Sequence, residues 1–150
     1  MAESLRARLN EDIKAAMKSQ DKVRLGTLRL LNSAIKQLEI DNRVELDDAG
    51  ILAVIEKAIK QRRESIKQYE AANRPELAAG EQAEIEVLQV YLPEPLTDAE
   101  LQTLIANAIT ETGAAGMKDM GKVMTHLKPQ VQGRTDMGAL SGQIKAKLGG

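Results

Sequence analysis

The chain has 150 residues, of which 43% are hydrophobic and 29% charged, and its formal net charge is −1. Two Tyr are its only aromatic residues, which removes the stacking platforms of sheet-type RNA and DNA readers and disfavours strand-rich folds. Cys is absent, so thiol nucleophiles, disulfides, thiolate zinc sites and iron–sulfur clusters are excluded.

Leu5, Leu9, Ile13 and Met17 recur at four-residue steps and predict a helix over about residues 3–18. Asp21 is suited to cap a second helix, whose apolar stripe is Leu28, Leu31, Ile35 and Leu38. Asp47 or Asp48 caps a third, over about 49–72, with Ile51, Ile55, Ile59, Ile66 and Tyr69 broadly on one side. Pro75 fits the first position of a fourth helix, which runs through Ile85, Leu88 and Leu92 and is weakened near Ala79-Gly80. Four amphipathic helices with short connections predict an antiparallel bundle.

Leu92-Pro93-Glu94-Pro95-Leu96 is the clearest boundary, because two prolines stop a helix and favour a stiff, extended connection. Thr97-Asp98-Ala99-Glu100 has the form of a capping box. The helix it opens has Leu101, Leu104, Ile105, Ala108 and Ile109 inside and Gly113 past its end. Two short helices follow, over about 117–127 and 137–148, with Pro129 and Gly133 punctuating the gap. The expected architecture is all-α: a helical domain over 1–93, a Pro-containing linker, and a three-helix tail domain over 96–150.

Charge is uneven along the chain. Residues 113–150 hold six cations against Asp119 and Asp136, a net +4, which leaves −5 for the remainder. A basic, Gly-punctuated tail on an acidic body suits an anionic partner, although on composition alone so small an excess is more often an ordinary solvated surface. The densest basic run, Lys57 to Lys67, aligns Lys60, Arg63 and Lys67 at helical spacing, as a phosphate-following stripe or as members of intrahelical ion pairs.

Catalytic machinery is hard to assemble. His126 is the only histidine and has no second soft ligand beside it, so a solvated or packed role outweighs a metal or general-base role. No phosphate-binding loop, dinucleotide fingerprint or zinc-protease motif occurs, and the acidic runs have the spacing of caps and exposed faces. Met117, Met120 and Met124 form a stripe that reads as core packing. Gly121, on the same helix, suggests close approach of a backbone or ligand, with Lys118, Lys122 and the helix start near Gly116 offering donors to a phosphate.

Gly113-Ala114-Ala115-Gly116-Met117-Lys118-Asp119-Met120-Gly121-Lys122-Val123-Met124, continued by Lys128-Pro129-Gln130-Val131-Gln132-Gly133-Arg134, resembles the GatB/YqeY tail domain. Val23 to Leu31, Lys60 to Ser65 and Tyr91-Leu92-Pro93-Glu94 resemble the free-standing YqeY-like proteins. Ala115 and Gly116 stand where that family usually has small hydroxyl residues, which removes a side-chain cap. The resemblance implies a tail related to the appended, tRNA-contacting module of the tRNA-dependent amidotransferase B subunit. A label of carbon–nitrogen ligase activity with glutamine as amido-N-donor follows from the shared tail, but no residues here are suited to that reaction.

The expected function is a non-catalytic tRNA-binding or tRNA-enzyme accessory protein. The alternative is a helical interaction module that docks on an amidotransferase or aminoacyl-tRNA synthetase without touching RNA. The resemblance assigns Lys118, Lys122, Lys128 and Arg134 as RNA contacts; Lys145 and Lys147 join them if the last helix faces the partner, and Lys60, Arg63 and Lys67 form a secondary stripe. No cofactor, metal or DNA is expected. The opening residues contain no apolar signal region, and no later apolar run approaches the roughly 20 residues of a membrane span. A cytoplasmic protein is therefore expected.

Overall fold

The structure, a computed structural model, describes residues 4–149. Among them are seven α-helices and no strand: α1 (Leu5–Ser19), α2 (Lys22–Asn42), α3 (Asp48–Ala71), α4 (Pro75–Gln89), α5 (Asp98–Thr112), α6 (Met120–Val131) and α7 (Met137–Gly149). A short 3-10 turn, Met117–Asp119, leads into α6. The helices fall into two compact units, Met1–Leu92 and Pro93–Gly150.

Side-chain caps set three of the four helix starts in the first unit, and Pro75 opens α4 without one. Ser4, Asp21 and Asp47 accept from the amides of Ala7, Arg24 and Gly50 at 3.2, 3.2 and 2.8 Å, so Asp47 rather than Asp48 caps α3. Asp48 instead accepts from the Leu5 amide at 3.1 Å. Glu39 ties α1, α2 and the loop before α3 together: its Oε2 accepts from the Leu46 amide at 2.8 Å and from Arg6 Nη2 at 2.5 Å. Leu9, Leu28, Leu31, Ile35, Ile51, Ile55, Ile59, Ile85, Leu88 and Tyr91 make one buried core.

Three residues of the expected stripes lie outside this core: Met17, Leu38 and the half-buried Tyr69. Met17 is 51% exposed and Ala16 is buried in its place. A strict four-residue step gains about 40° per repeat on a helix of about 100° per residue, so the stripe has rotated off the core by its fourth member. Leu38, in the last turns of α2 where Ile40 is also exposed, is 38% exposed. The expected weakening at Ala79-Gly80 does not occur, because α4 is continuous from Pro75 to Gln89. Leu92 lies past the end of that helix.

The second unit is built on α5, whose capping box is complete: Thr97 Oγ1 accepts from the Glu100 amide at 3.1 Å, and Glu100 Oε1 accepts from the Thr97 amide at 3.3 Å. Gly113 closes the helix at φ 68°, a conformation that favours glycine. Leu101, Ile105, Ala108, Val123, Leu127, Val131, Leu140 and Ile144 form the core, with Leu104 and Ile109 packed against it. Pro129 lies inside α6, contrary to its expected place in the gap. The fully buried Val131 keeps the last turn helical beyond it. Met120 and Met124 border the core, whereas Met117 is 42% exposed and so is not a core residue.

Candidate nucleic-acid interface

The six candidate cations of the tail do not form one face. Lys118 lies in the 3-10 turn and Lys122 in the first turn of α6, where its Nζ donates to the Thr112 carbonyl at 3.4 Å. That bond places a cation on a free carbonyl at the C-terminus of α5, where the helix dipole favours it. One turn further along α6, His126 Nε2 is 2.6 Å from Glu111 Oε2, so its contact is a carboxylate of α5. The C-terminal end of α7 packs on the 3-10 turn, with Gly149 against the Met117 side chain. Lys145 and Lys147 are both exposed on α7. Being two residues apart on a helix, they point about 200° away from each other, so one surface cannot engage both.

Lys128 and Arg134 belong to the opposite end of α6. Lys128 is exposed in its last turn, six residues and about 9 Å along the axis from Lys122. Arg134 is committed to structure. Its Nε donates to the Glu94 carbonyl at 2.8 Å, and its own carbonyl accepts from the Leu96 amide at 2.9 Å. These bonds fasten the 94–96 segment to the turn after α6.

The expected anion seat near Gly116 is occupied by the protein's own carboxylate. Asp119 Oδ2 accepts from the Ala115 amide at 2.9 Å. That backbone bond, helped by Lys122 and Lys118, holds the Asp119 carboxyl below the usual carboxylate range. The missing hydroxyl cap is thus replaced by a carboxylate reaching back from the far side of the turn. Gly121 has no atom within 4 Å of where a Cβ would stand, so no backbone of this unit closes on it.

In the first unit the basic run on α3 divides. Lys60, Arg63 and Lys67 are exposed, whereas Arg62 turns inward, donates to the Ala58 carbonyl at 3.0 Å and pairs with Glu84 of α4 at 3.6 Å.

Beside Glu84 lies a groove that the sequence reading missed. It is open, measures about 570 Å³ and is lined from α2 by Val23, Gly26, Thr27 and Leu30, and from α4 by Glu76, Leu77, Gly80, Glu81 and Glu84. Gly80 gave a signal, but it read as a weak point in the helix rather than as an opening. Leu30 lies outside the predicted stripe and gave a second signal.

The family model for YqeY-like proteins matches residues 6–148. The chain belongs to the YqeY-like family. Its relatives include two fungal proteins named altered inheritance of mitochondria protein 41, mitochondrial. That of Pyrenophora tritici-repentis is 31% identical over 95% of this chain and 80% of the relative. That of Lachancea thermotolerans is 37% identical over 70% of this chain, and the match spans 58% of the relative. A third, from Kluyveromyces lactis, is 31% identical over 93% of this chain and 74% of the relative.

These names overturn the cytoplasmic expectation for this YqeY-like chain, since the relatives are called mitochondrial. Composition and hydropathy do not separate the two compartments. A Cys-free composition and a lack of long apolar runs suit a mitochondrial interior as well as a cytosol. Among the described residues, no helix is long and apolar enough to cross a membrane.

Proposed function

We propose that this YqeY-like protein is a non-catalytic accessory of tRNA handling, in which a four-helix body carries a small three-helix tail that touches RNA. The observation that supports this reading most is the placing of Lys118 and Lys122 together at the start of α6, in a chain of net charge −1. The contact is to phosphates and 2′-hydroxyls, because the tail offers neither an aromatic platform nor a base-reading helix. Lys128 and the α3 stripe of Lys60, Arg63 and Lys67 are outlying contacts, and Arg134 contributes by holding the segment before α5 in place. Neither a ligase step nor a DNA partner enters the proposal.

The test is anisotropy of labelled deacylated tRNA with the full chain at two salt concentrations. Binding is expected to weaken by roughly 0.7–0.9 log units per log unit of salt for each phosphate engaged. Charge reversal at Lys118 and Lys122 together reduces affinity while the helical circular dichroism stays unchanged. Equal affinity for tRNA and for a simple RNA duplex, unaffected by that reversal, refutes the reading. A second reading, docking on an amidotransferase or aminoacyl-tRNA synthetase without RNA contact, draws its support from the groove between α2 and α4.

A further inference from the structure

The groove between α2 and α4 is built from features that do not serve the isolated chain. Gly26 and Gly80 sit inside helices, where Ala is better by about 1 kcal/mol each. Neither has an atom within 4 Å of where its Cβ would stand, so internal packing does not require them. Thr27, the neighbour of Gly26, is 2% exposed, and its hydroxyl is buried without a hydrogen-bond partner. A helical Thr ordinarily satisfies that hydroxyl on a carbonyl of the preceding turn, and an orphaned one is costly. Around them Leu30 and Val23 are 59% and 53% exposed and Leu77 is 39% exposed.

Charge identifies what fits. The lining holds one lysine, Lys22, against Glu76, Glu81 and Glu84. The α4 wall bears no Lys or Arg anywhere from Pro75 to Gln89. Arg62 reaches Glu84 from α3, and the Arg74–Glu76 pair is more than half exposed on both sides, a kind of pair that exchanges partners cheaply. With Glu84 and Glu76 already paired, Glu81 is the lining carboxylate in no ion pair among the described residues. On a wall without Lys or Arg it favours a cation over a nucleic-acid backbone.

We propose that the α2–α4 groove is a docking site for one amphipathic helix of a partner protein, apolar on the buried face and Lys- or Arg-bearing along the edge that meets α4. The two glycines let the partner's backbone approach closely, Leu30, Val23 and Leu77 cover its apolar stripe, and Glu81 and Glu76 meet its cations. This mode is helix-in-groove recognition, with anchors at i, i+3, i+4 and i+7.

The experiment uses the full chain and two labelled synthetic 18-residue peptides, one of Leu and Lys and one of Leu and Glu, each patterned to place Leu on one helical face. Anisotropy is expected to show at least tenfold tighter binding of the Leu/Lys peptide. Gly26→Leu and Gly80→Leu each weaken it at least tenfold, and Glu81→Lys reverses the preference. Gly26→Ala and Gly80→Ala serve as the milder pair: both raise the melting temperature and both weaken the peptide. Equal binding of the two peptides, or full binding by the filled variants, overturns the proposal. Self-association that the filled variants abolish, seen by sedimentation, overturns it in favour of a second copy of this chain. Loss of tRNA binding in the filled variants also overturns it, by assigning the groove to RNA, whereas failure of the tail lysines leaves it standing.

Discussion

The Tyr91 hydroxyl donates to Asp12 Oδ2 at 2.5 Å across 79 residues of sequence, joining the end of α4 to α1. Arg24 of α2 lies 3.7 Å from the same carboxylate oxygen, and the Arg8 guanidinium stacks 4.7 Å from the centre of the Tyr91 ring. One buried aromatic residue thus fixes three helices at the edge of the first core.

Burial, followed by the Asp12 carboxylate, pushes the Tyr91 phenol up to about 12. The folded state holds that proton more tightly than the unfolded chain, whose phenol titrates near 10. Its contribution is fully present below about pH 10 and is lost as the pH rises towards 12. Tyr91→Phe lowers stability at pH 7 by about 1–2 kcal/mol and flattens the alkaline decline. Urea midpoints between pH 7 and 11 check this; an unchanged slope in the variant sinks the assignment.

Glu39 has the opposite sign. The Leu46 amide, followed by Arg6, holds its carboxyl below the ordinary value of 4.5. Its contribution is present above about pH 4.5 and disappears as the pH falls through the lowered value. Glu39→Gln should be less stable than wild type at neutral pH, with the difference closing in acid. Denaturation curves from pH 3 to 7 are the measurement, and a constant difference across that range refutes the linkage.

In the tail, Ile105 is fully buried at the centre of the second core. Ile105→Ala removes methyl groups and leaves a cavity, at a cost of about 2–5 kcal/mol. Hydrogen exchange should show faster opening of α5 and α6. Protection equal to wild type in those helices contradicts the expected packing.

Arg134 separates folding from binding. Arg134→Ala loses the bond to the Glu94 carbonyl and should cost about 1 kcal/mol. Lys118→Glu leaves stability nearly unchanged, because that side chain is exposed. Melting temperatures of the two variants decide the matter: a larger loss in Lys118→Glu reverses the assigned roles.

Much of the local architecture was legible because it depends on neighbours in sequence. The caps at Asp21 and Thr97, the first-turn Pro75 and the closing Gly113 each act within four residues, and the all-α class follows from their spacing with the apolar stripes. The end of α1 was legible to within a residue, but the way the helices close was not: Gln20 and Arg43 end α1 and α2 in the left-handed conformation that glycine favours, at φ 58° and 53°. Pro129 was misread for the same reason, since the burial of Val131 outweighs a local preference to stop.

The sequence by itself determined the helical class, the family and the inventory of cations. Tertiary structure decided what each residue is used for. Arg62 and Arg134 became structural because the Glu84 carboxylate and the Glu94 carbonyl, each from a distant segment, meet them, and Asp119 took the expected anion seat because the turn folds back on it. The groove exists only where two glycines, 54 positions apart in the sequence, come to line the same opening. Such pairings depend on how helices pack, and helical periodicity carries no information about which helix lies alongside which.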